Sequence, residues 1–152
     1  MRRGEAIAAR ARSLVGVRFR AQGREADQGL DCVGLVAAAL EQADVRRDYA
    51  LRGGSERVLA DELARASLRR VSEAQAGDLM VMQAGPGQIH LGIWTGAGLV
   101  HADAGLRRVV ERPGAVPWPV LAVWRDGATP AIGCADGPST TRDGPPPGPG
   151  EV

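Results

Sequence analysis

Apolar positions recur at two different spacings along the chain, and the change comes near Gly77. In residues 4–15, Ile7, Ala8, Ala11, Leu14 and Val15 share one helical face, while Glu5, Arg10 and Arg12 fall mostly elsewhere. That pattern predicts an amphipathic helix stopped by Gly16. Val17 to Gly23 reads as an extended stretch running into a polar loop. A second helix is expected from Cys32 to about Asp44, with Val33, Val36, Ala37 and Leu40 at helical spacing. Arg46 to Gly54 forms a charged loop, and Ser55 is then a candidate N-cap for a helix whose face is Val58, Leu59, Glu62, Leu63 and Ala66.

Beyond Gly77 the runs are short, apolar or alternating, and separated by glycine and proline. Asp78–Met82, Ile89–Thr95, Leu99–Asp103, Arg107–Glu111 and Val120–Arg125 each read as a strand. Helices first and strands after, joined by hairpin-length connections, predict an α+β fold with an antiparallel sheet of about five strands. From Asp126 onward Gly, Pro, Ser and Thr dominate, ending in Pro145-Pro146-Pro147-Gly148-Pro149-Gly150. Such a segment cannot build a core. The expected organisation is therefore a folded domain over 1–125 and an extended Pro/Gly-rich tail over 126–152.

Composition narrows the function classes. The chain has 152 residues and a net charge of +1, which offers no bulk electrostatic capture of nucleic acid. Every basic residue is arginine, with no lysine, so the arginines read first as a compositional bias. No apolar run approaches the ~18 residues of a membrane span, so membrane insertion is not expected. Arg10 and Arg12 interrupt any apolar stretch behind Met1-Arg2-Arg3, and no secretory signal is read there. Synthesis in the cytoplasm is the expectation.

The candidate chemistry centres on Gly29-Leu30-Asp31-Cys32-Val33-Gly34-Leu35-Val36. A thiol in the first turn of a helix sits where unpaired N–H groups and the positive dipole end favour the thiolate, which makes it a candidate nucleophile. A buried structural cysteine is the competing reading. Cys134 lies in the tail and reads as an unengaged thiol; a disulfide between the two is not expected.

The two histidines, His90 and His101, fall in consecutive strands around Thr95-Gly96-Ala97-Gly98. A two-residue Gly96-Ala97 loop of type II′ pairs 95 with 98, then 92 with 101 and 90 with 103. Alternation puts 90, 92, 101 and 103 on one face, with the histidines as diagonal neighbours roughly 7–8 Å apart at the backbone. A nucleophile, a base and a residue that orients the base are thereby available, with Asp103 a rival to His101 for the third role. Cys32, His90 and His101 are also possible zinc ligands by type, but they lack close-spaced ligand pairs, and no metal or cofactor is expected.

Gly16-Val17-Arg18-Phe19-Arg20, Gly29 to Leu35, Gly77-Asp78-Leu79, His90-Leu91-Gly92-Ile93-Trp94 and His101-Ala102 together resemble the NlpC/P60 family of papain-like cell-wall cysteine peptidases. The resemblance covers roughly residues 4–125. It implies Cys32 as nucleophile, His90 as general base and His101 as orienting residue, acting on peptidoglycan stem peptides, typically after D-glutamyl residues. Phe19 stands where the family usually has a Tyr whose hydroxyl assists the oxyanion site. The backbone N–H of Cys32 is then the identifiable donor. Val33 stands where many secreted members have Ser, which is similar to the branch found in siphophage tails and gene transfer agents. That likeness implies carriage in the tail of a phage-like particle, bound to a tail-tip or baseplate hub protein.

Asp31, Phe19 and Arg20 are the candidate substrate contacts, with Arg18 and Arg20 otherwise a solvated face. Trp94, Trp118 and Trp124 read as core or groove wall. Two further functions compete with the peptidase: a structural tail-tip component with weak or vestigial activity, and a thiol acyltransferase or amidase working through the same thioester.

Overall fold

The computed structural model describes residues 3–41 and 56–127. The 46–54 loop, the Ser55 cap, the Val58 side chain and the Pro/Gly tail beyond Gly127, with Cys134, lie outside the described residues, whereas the second helix stops at Leu40, short of the expected Asp44. Helix α1 spans Arg3–Ser13 and buries Ile7, Ala8 and Ala11. It ends two residues earlier than its apolar spacing predicts. Leu14 and Val15 form a closing turn, and Val15 is 43% exposed rather than on the core face. Gly16, at a φ of 96°, then donates its N–H to the Val109 carbonyl.

From there the chain runs extended as expected, and it does so between two partners. Phe19 N–H bonds the Arg107 carbonyl and Val109 N–H bonds the Val17 carbonyl on one side. Arg20 N–H and the Arg18 carbonyl bond Leu30 on the other. A small ribbon follows, β1 (Arg24–Glu25) against β2 (Gly29–Leu30). Helix α2 covers Cys32–Leu40, and Glu41 in the left-handed region closes it by bonding back to Ala37 and Ala38. A side chain, not a glycine, takes the stop position, so no glycine in the sequence marks the end. Helix α3 is Glu56–Arg65.

The main sheet has six strands, one more than expected. They are β3 (Leu68–Val71), β4 (Leu79–Gly85), β5 (Gln88–Trp94), β6 (Gly98–Asp103), β7 (Arg108–Pro113) and β8 (Val120–Asp126). Their order is β3-β8-β4-β5-β6-β7, and every pairing is antiparallel. The extra strand, Leu-Arg-Arg-Val, is an arginine-bearing edge paired with β8, a composition that guards a sheet edge more than it signals a strand. Strand β8 ends at Asp126, whose carboxylate is bonded by Arg3.

The core lies where α1, α2 and α3 cover one side of the sheet. Ile7, Leu35, Val36, Leu40, Leu59 and Leu63 pack there with Leu79, Val81, Leu91, Ile93 and Val100. The other side is not bare. Met80, Met82, Leu99 and Val123 are buried under Trp94, Val116 and Trp118, so the segment between β7 and β8 folds over the sheet. At one end of the sheet Asp78, 1% exposed, takes two bonds of 2.9 Å from the Arg125 guanidinium and a third from Gln75 N–H.

Candidate active site

The start of α2 is built by Asp31. Its Oδ1 accepts the Gly34 N–H (2.8 Å) and an Arg24 Nη1–H (2.7 Å), and its Oδ2 accepts the Gln22 N–H (2.9 Å). This carboxylate is at once the N-cap of α2 and the brace of the preceding loop. Gly34 is required by the closeness of that loop. A Cβ there would stand 2.1 Å from the Gly23 carbonyl oxygen, so any side chain would push the helix start off its seat. The glycine spacing around Cys32 thus brings the helix terminus against its own approach strand.

The histidines come from β5 and β6. Thr95 N–H donates to the Gly98 carbonyl, and Ile93–Val100 and Trp94–Leu99 pair, which is the predicted register. Gly96, at the first central position, has a φ of 96°, as the predicted turn demands. The ladder nevertheless stops at Ile93–Val100, so the expected pairing of 92 with 101 and 90 with 103 is not made. Continuing it would use the Leu91 N–H, and that group donates to Cys32 Sγ instead. The strands part to admit the helix start. In the gap His90 Nε2 and His101 Nδ1 lie 3.0 Å apart, on one face as alternation requires.

Cys32, His90, His101, Asp103, Phe19, Asp31 and Trp118 line one cavity of about 530 Å³. Cys32 is a free thiol. Asp103 accepts the Leu106 N–H (3.0 Å) in its own turn; the side chain that His90 bonds is His101. Phe19 forms part of the wall, whereas Arg20 is exposed and is not among the cavity's lining residues. Asp31 contributes by holding the loop, since both its oxygens are engaged within the chain. Gln22, at a φ of 60°, also lines the cavity. Among the described lining residues there is no arginine. Nor do the described residues include a cluster of three or more His, Cys, Asp or Glu able to hold a metal.

Burial sets the protonation states. It pushes the Cys32 thiol up to about 12, with the Asp31 charge adding to the rise, while the N–H groups of Leu91, Cys32 and Val33 pull it down. The helix start acts in the expected direction, but desolvation outweighs it. Burial thus opposes the thiolate that the helix start favours. Burial, then the neighbouring His101, lowers His90 to about 4 against the opposing charge of Asp103. Burial lowers His101 as well, with Asp103 opposing and Arg112 assisting. Burial thus favours the neutral thiol and the neutral imidazoles.

The NlpC/P60 family profile matches residues 16–115, spanning the extended stretch, the cysteine helix and both histidine strands. The chain belongs to the NlpC/P60 family. No curated protein matches it in sequence. Among solved structures, NlpC1 from Trichomonas vaginalis is 19% identical with a TM-score of 0.60, covering 80% of this chain and 44% of its own. RipB from Mycobacterium tuberculosis, a peptidoglycan hydrolase, is 26% identical with a TM-score of 0.55, covering 83% and 65%. The NlpC/P60 domain of the peptidoglycan hydrolase SagA is 26% identical with a TM-score of 0.50, covering 72% and 88%. This chain therefore spans less than half of the Trichomonas protein. Two features of this NlpC/P60 domain were not singled out as functional from sequence. Leu91 acts through its backbone, which carries no residue signal. Trp118, read as core or groove wall, forms groove wall against both histidines.

Proposed function

We propose that the protein is a cysteine peptidase that hydrolyses peptide bonds in bacterial peptidoglycan stem peptides through a thioester. The observation that carries this reading is the convergence of Cys32, His90 and His101 on one cavity, with His90 tied to His101 through Nε2. That bond leaves Nδ1 as the ring nitrogen of His90 open to the thiol. For Nδ1 to accept a proton, Nε2 must carry the hydrogen and donate it to His101 Nδ1, so His101 holds its own proton on Nε2.

Cys32 then gives its proton to His90 Nδ1 as the sulfur attacks the scissile carbonyl. The imidazolium returns that proton to the leaving amine as the C–N bond breaks. Water attacks the thioester with His90 as base, the C–S bond breaks, and the proton returns to the thiol. Charge separates only during attack, because both partners rest neutral. The Cys32 N–H stands at the helix start as a donor for the developing oxyanion. Peptidoglycan as substrate is supported by membership of the family and by RipB and SagA, both peptidoglycan hydrolases.

Carriage on a phage-like tail, with a hub protein as partner, is the setting we attach to this activity. Its support is Val33 after the nucleophile in place of Ser. Phe19 favours the second reading, a tail component of weak activity, since the cavity wall there carries no hydroxyl. Incubation of wild type and Cys32→Ala with purified peptidoglycan, with fragments identified by mass spectrometry, tests the activity. Release of stem-peptide fragments by wild type alone is expected; equal profiles would remove the peptidase reading. Deleting 128–152 tests the setting, with loss from particles and retained hydrolysis as the expected outcome.

A further inference from the structure

His90, His101 and Trp118 form a corner of three mutually perpendicular rings. The His90–His101 centroids are 5.1 Å apart at 86°, His90–Trp118 5.1 Å at 79°, and His101–Trp118 5.2 Å at 87°. Edge-to-face contact is the arrangement that ring quadrupoles favour. With all three pairs in it, turning either imidazole about its own bond changes its contacts with both other rings. Trp118 is itself fixed. It sits between Pro117 and Pro119, which restrict the backbone on both sides. The Pro119 carbonyl accepts the Gln83 N–H at 2.9 Å, and Trp118 packs against the buried Met80, Met82, Leu99 and Val123 cluster.

A second observation points to the same ring. His101 is 1% exposed, and its Nε2 has no hydrogen-bond partner among the described residues. In the tautomer that makes His90 a base, that atom carries a hydrogen, and an aromatic face is the weak acceptor such a donor can use. Trp118 is an aromatic ring in edge-to-face contact with His101.

We propose that Trp118 is a positioning residue: it locks the His90–His101 pair in the rotamers and tautomers that leave His90 Nδ1 to the thiol, and it keeps water off both rings. This rests on the peptidase reading for its kinetic consequence but not for its structural one. An indole beside His90 also supports the imidazolium that forms during attack. Among the described residues, the other titratable or charged groups around the pair are Asp103 on β6, Arg112 on β7, and Cys32 and Asp31 at the start of α2.

The test uses the whole chain with Trp118→Ala, Trp118→Leu and Trp118→Phe. Nitrogen-15 shifts of the histidine rings report tautomer and titration midpoint without substrate, and kcat and KM are measured on peptidoglycan fragments. Trp118→Ala is expected to mix the His90 tautomers and raise its midpoint by about one pH unit or more, as water replaces the indole. In Trp118→Leu, which keeps apolar packing, kcat should fall about tenfold or more with KM changed less than about threefold. Trp118→Phe should restore a single tautomer and most of kcat. Unchanged tautomers and kcat in the first two variants, or a loss confined to KM, would make Trp118 a groove wall only and overturn the proposal. Should Trp118→Ala not fold, the kcat and KM split in Trp118→Leu decides. If wild type hydrolyses nothing while the tautomer pattern still depends on Trp118, the positioning role stands and the peptidase reading falls.

Discussion

His90 Nε2 lies 3.0 Å from His101 Nδ1, beyond the last paired residues of the hairpin that carries both. Sheet pairing does not hold the two rings together; the hydrogen bond and its surroundings do. His101 can therefore be removed without unmaking the hairpin. Cys32→Ala should abolish hydrolysis, because no thioester can form. His101→Ala should lower kcat by about 10–100-fold and leave measurable turnover, because thiol and base remain. Steady-state kinetics on peptidoglycan fragments check the order; equal losses would show that His90 does not function without its partner.

Cys32 should be a slow thiol in the folded protein. Burial raises it to about 12, so the thiolate fraction near neutral pH is small and alkylation by iodoacetamide should accelerate only in strong alkali. In denaturant the same thiol should titrate near its ordinary value of about 8.5. Peptide mapping of the alkylated protein across pH separates Cys32 from Cys134. A folded-state midpoint below about 8.5 would mean that an ion pair with His90 outweighs burial.

Stability should depend on pH through His90. Its folded value of about 4 lies below the ordinary 6.5, so between those limits the unfolded chain binds a proton that the folded one refuses. Stability then rises with pH across this window, by at most about 1.4 kcal/mol per pH unit from this residue, and is lost as pH falls through it. Urea unfolding at pH 4.5 and 6.5 measures the slope, and His90→Gln should flatten it. An equal slope in both proteins would assign the effect to other groups.

Gly34→Ala should be strongly destabilising although alanine favours helices. The added Cβ would meet the Gly23 carbonyl oxygen at 2.1 Å, and the helix start must move to relieve it. A cost of about 1–3 kcal/mol is expected, with loss of activity, because the same shift displaces Cys32. Retained midpoint and turnover would show that the loop gives way instead.

Asp78→Ala breaks a buried ion pair away from the lining of the cavity. Arg125 would keep its charge beside an apolar gap, at a cost of about 3 kcal/mol, the low end for such pairs because the arginine is partly exposed. The denaturation midpoint should fall while kcat of the folded fraction stays within about twofold of wild type. A matching fall in kcat would couple this end of the sheet to the site.

Much of this protein could be read from its order of residues. The change of apolar spacing near Gly77 separates helices from strands, because helical and extended backbones present their faces at periods of 3.6 and 2. Thr95-Gly96-Ala97-Gly98 determines the hairpin register, because a two-residue turn admits one pairing and alternation then places His90 and His101 on one face. The family resemblance follows from motifs of that local kind.

What lay beyond reach depends on parts of the chain distant in sequence. The edge strand Leu68–Val71 exists because β8 pairs with it, not because Leu-Arg-Arg-Val prefers to be extended. Helix α2 ends where Glu41 turns left-handed, a conformation its side chain does not announce. The charge state of Cys32 was read from the helix start alone. It is decided by how completely α2, β5 and β6 exclude water, and desolvation is a property of packing. The parting of β5 and β6, the turn of the Leu91 N–H toward sulfur and the seat of Trp118 against both imidazoles belong to the same class. Local sequence determined which groups are present and on which face they stand; only the packed structure decided their distances, their protons and their shielding.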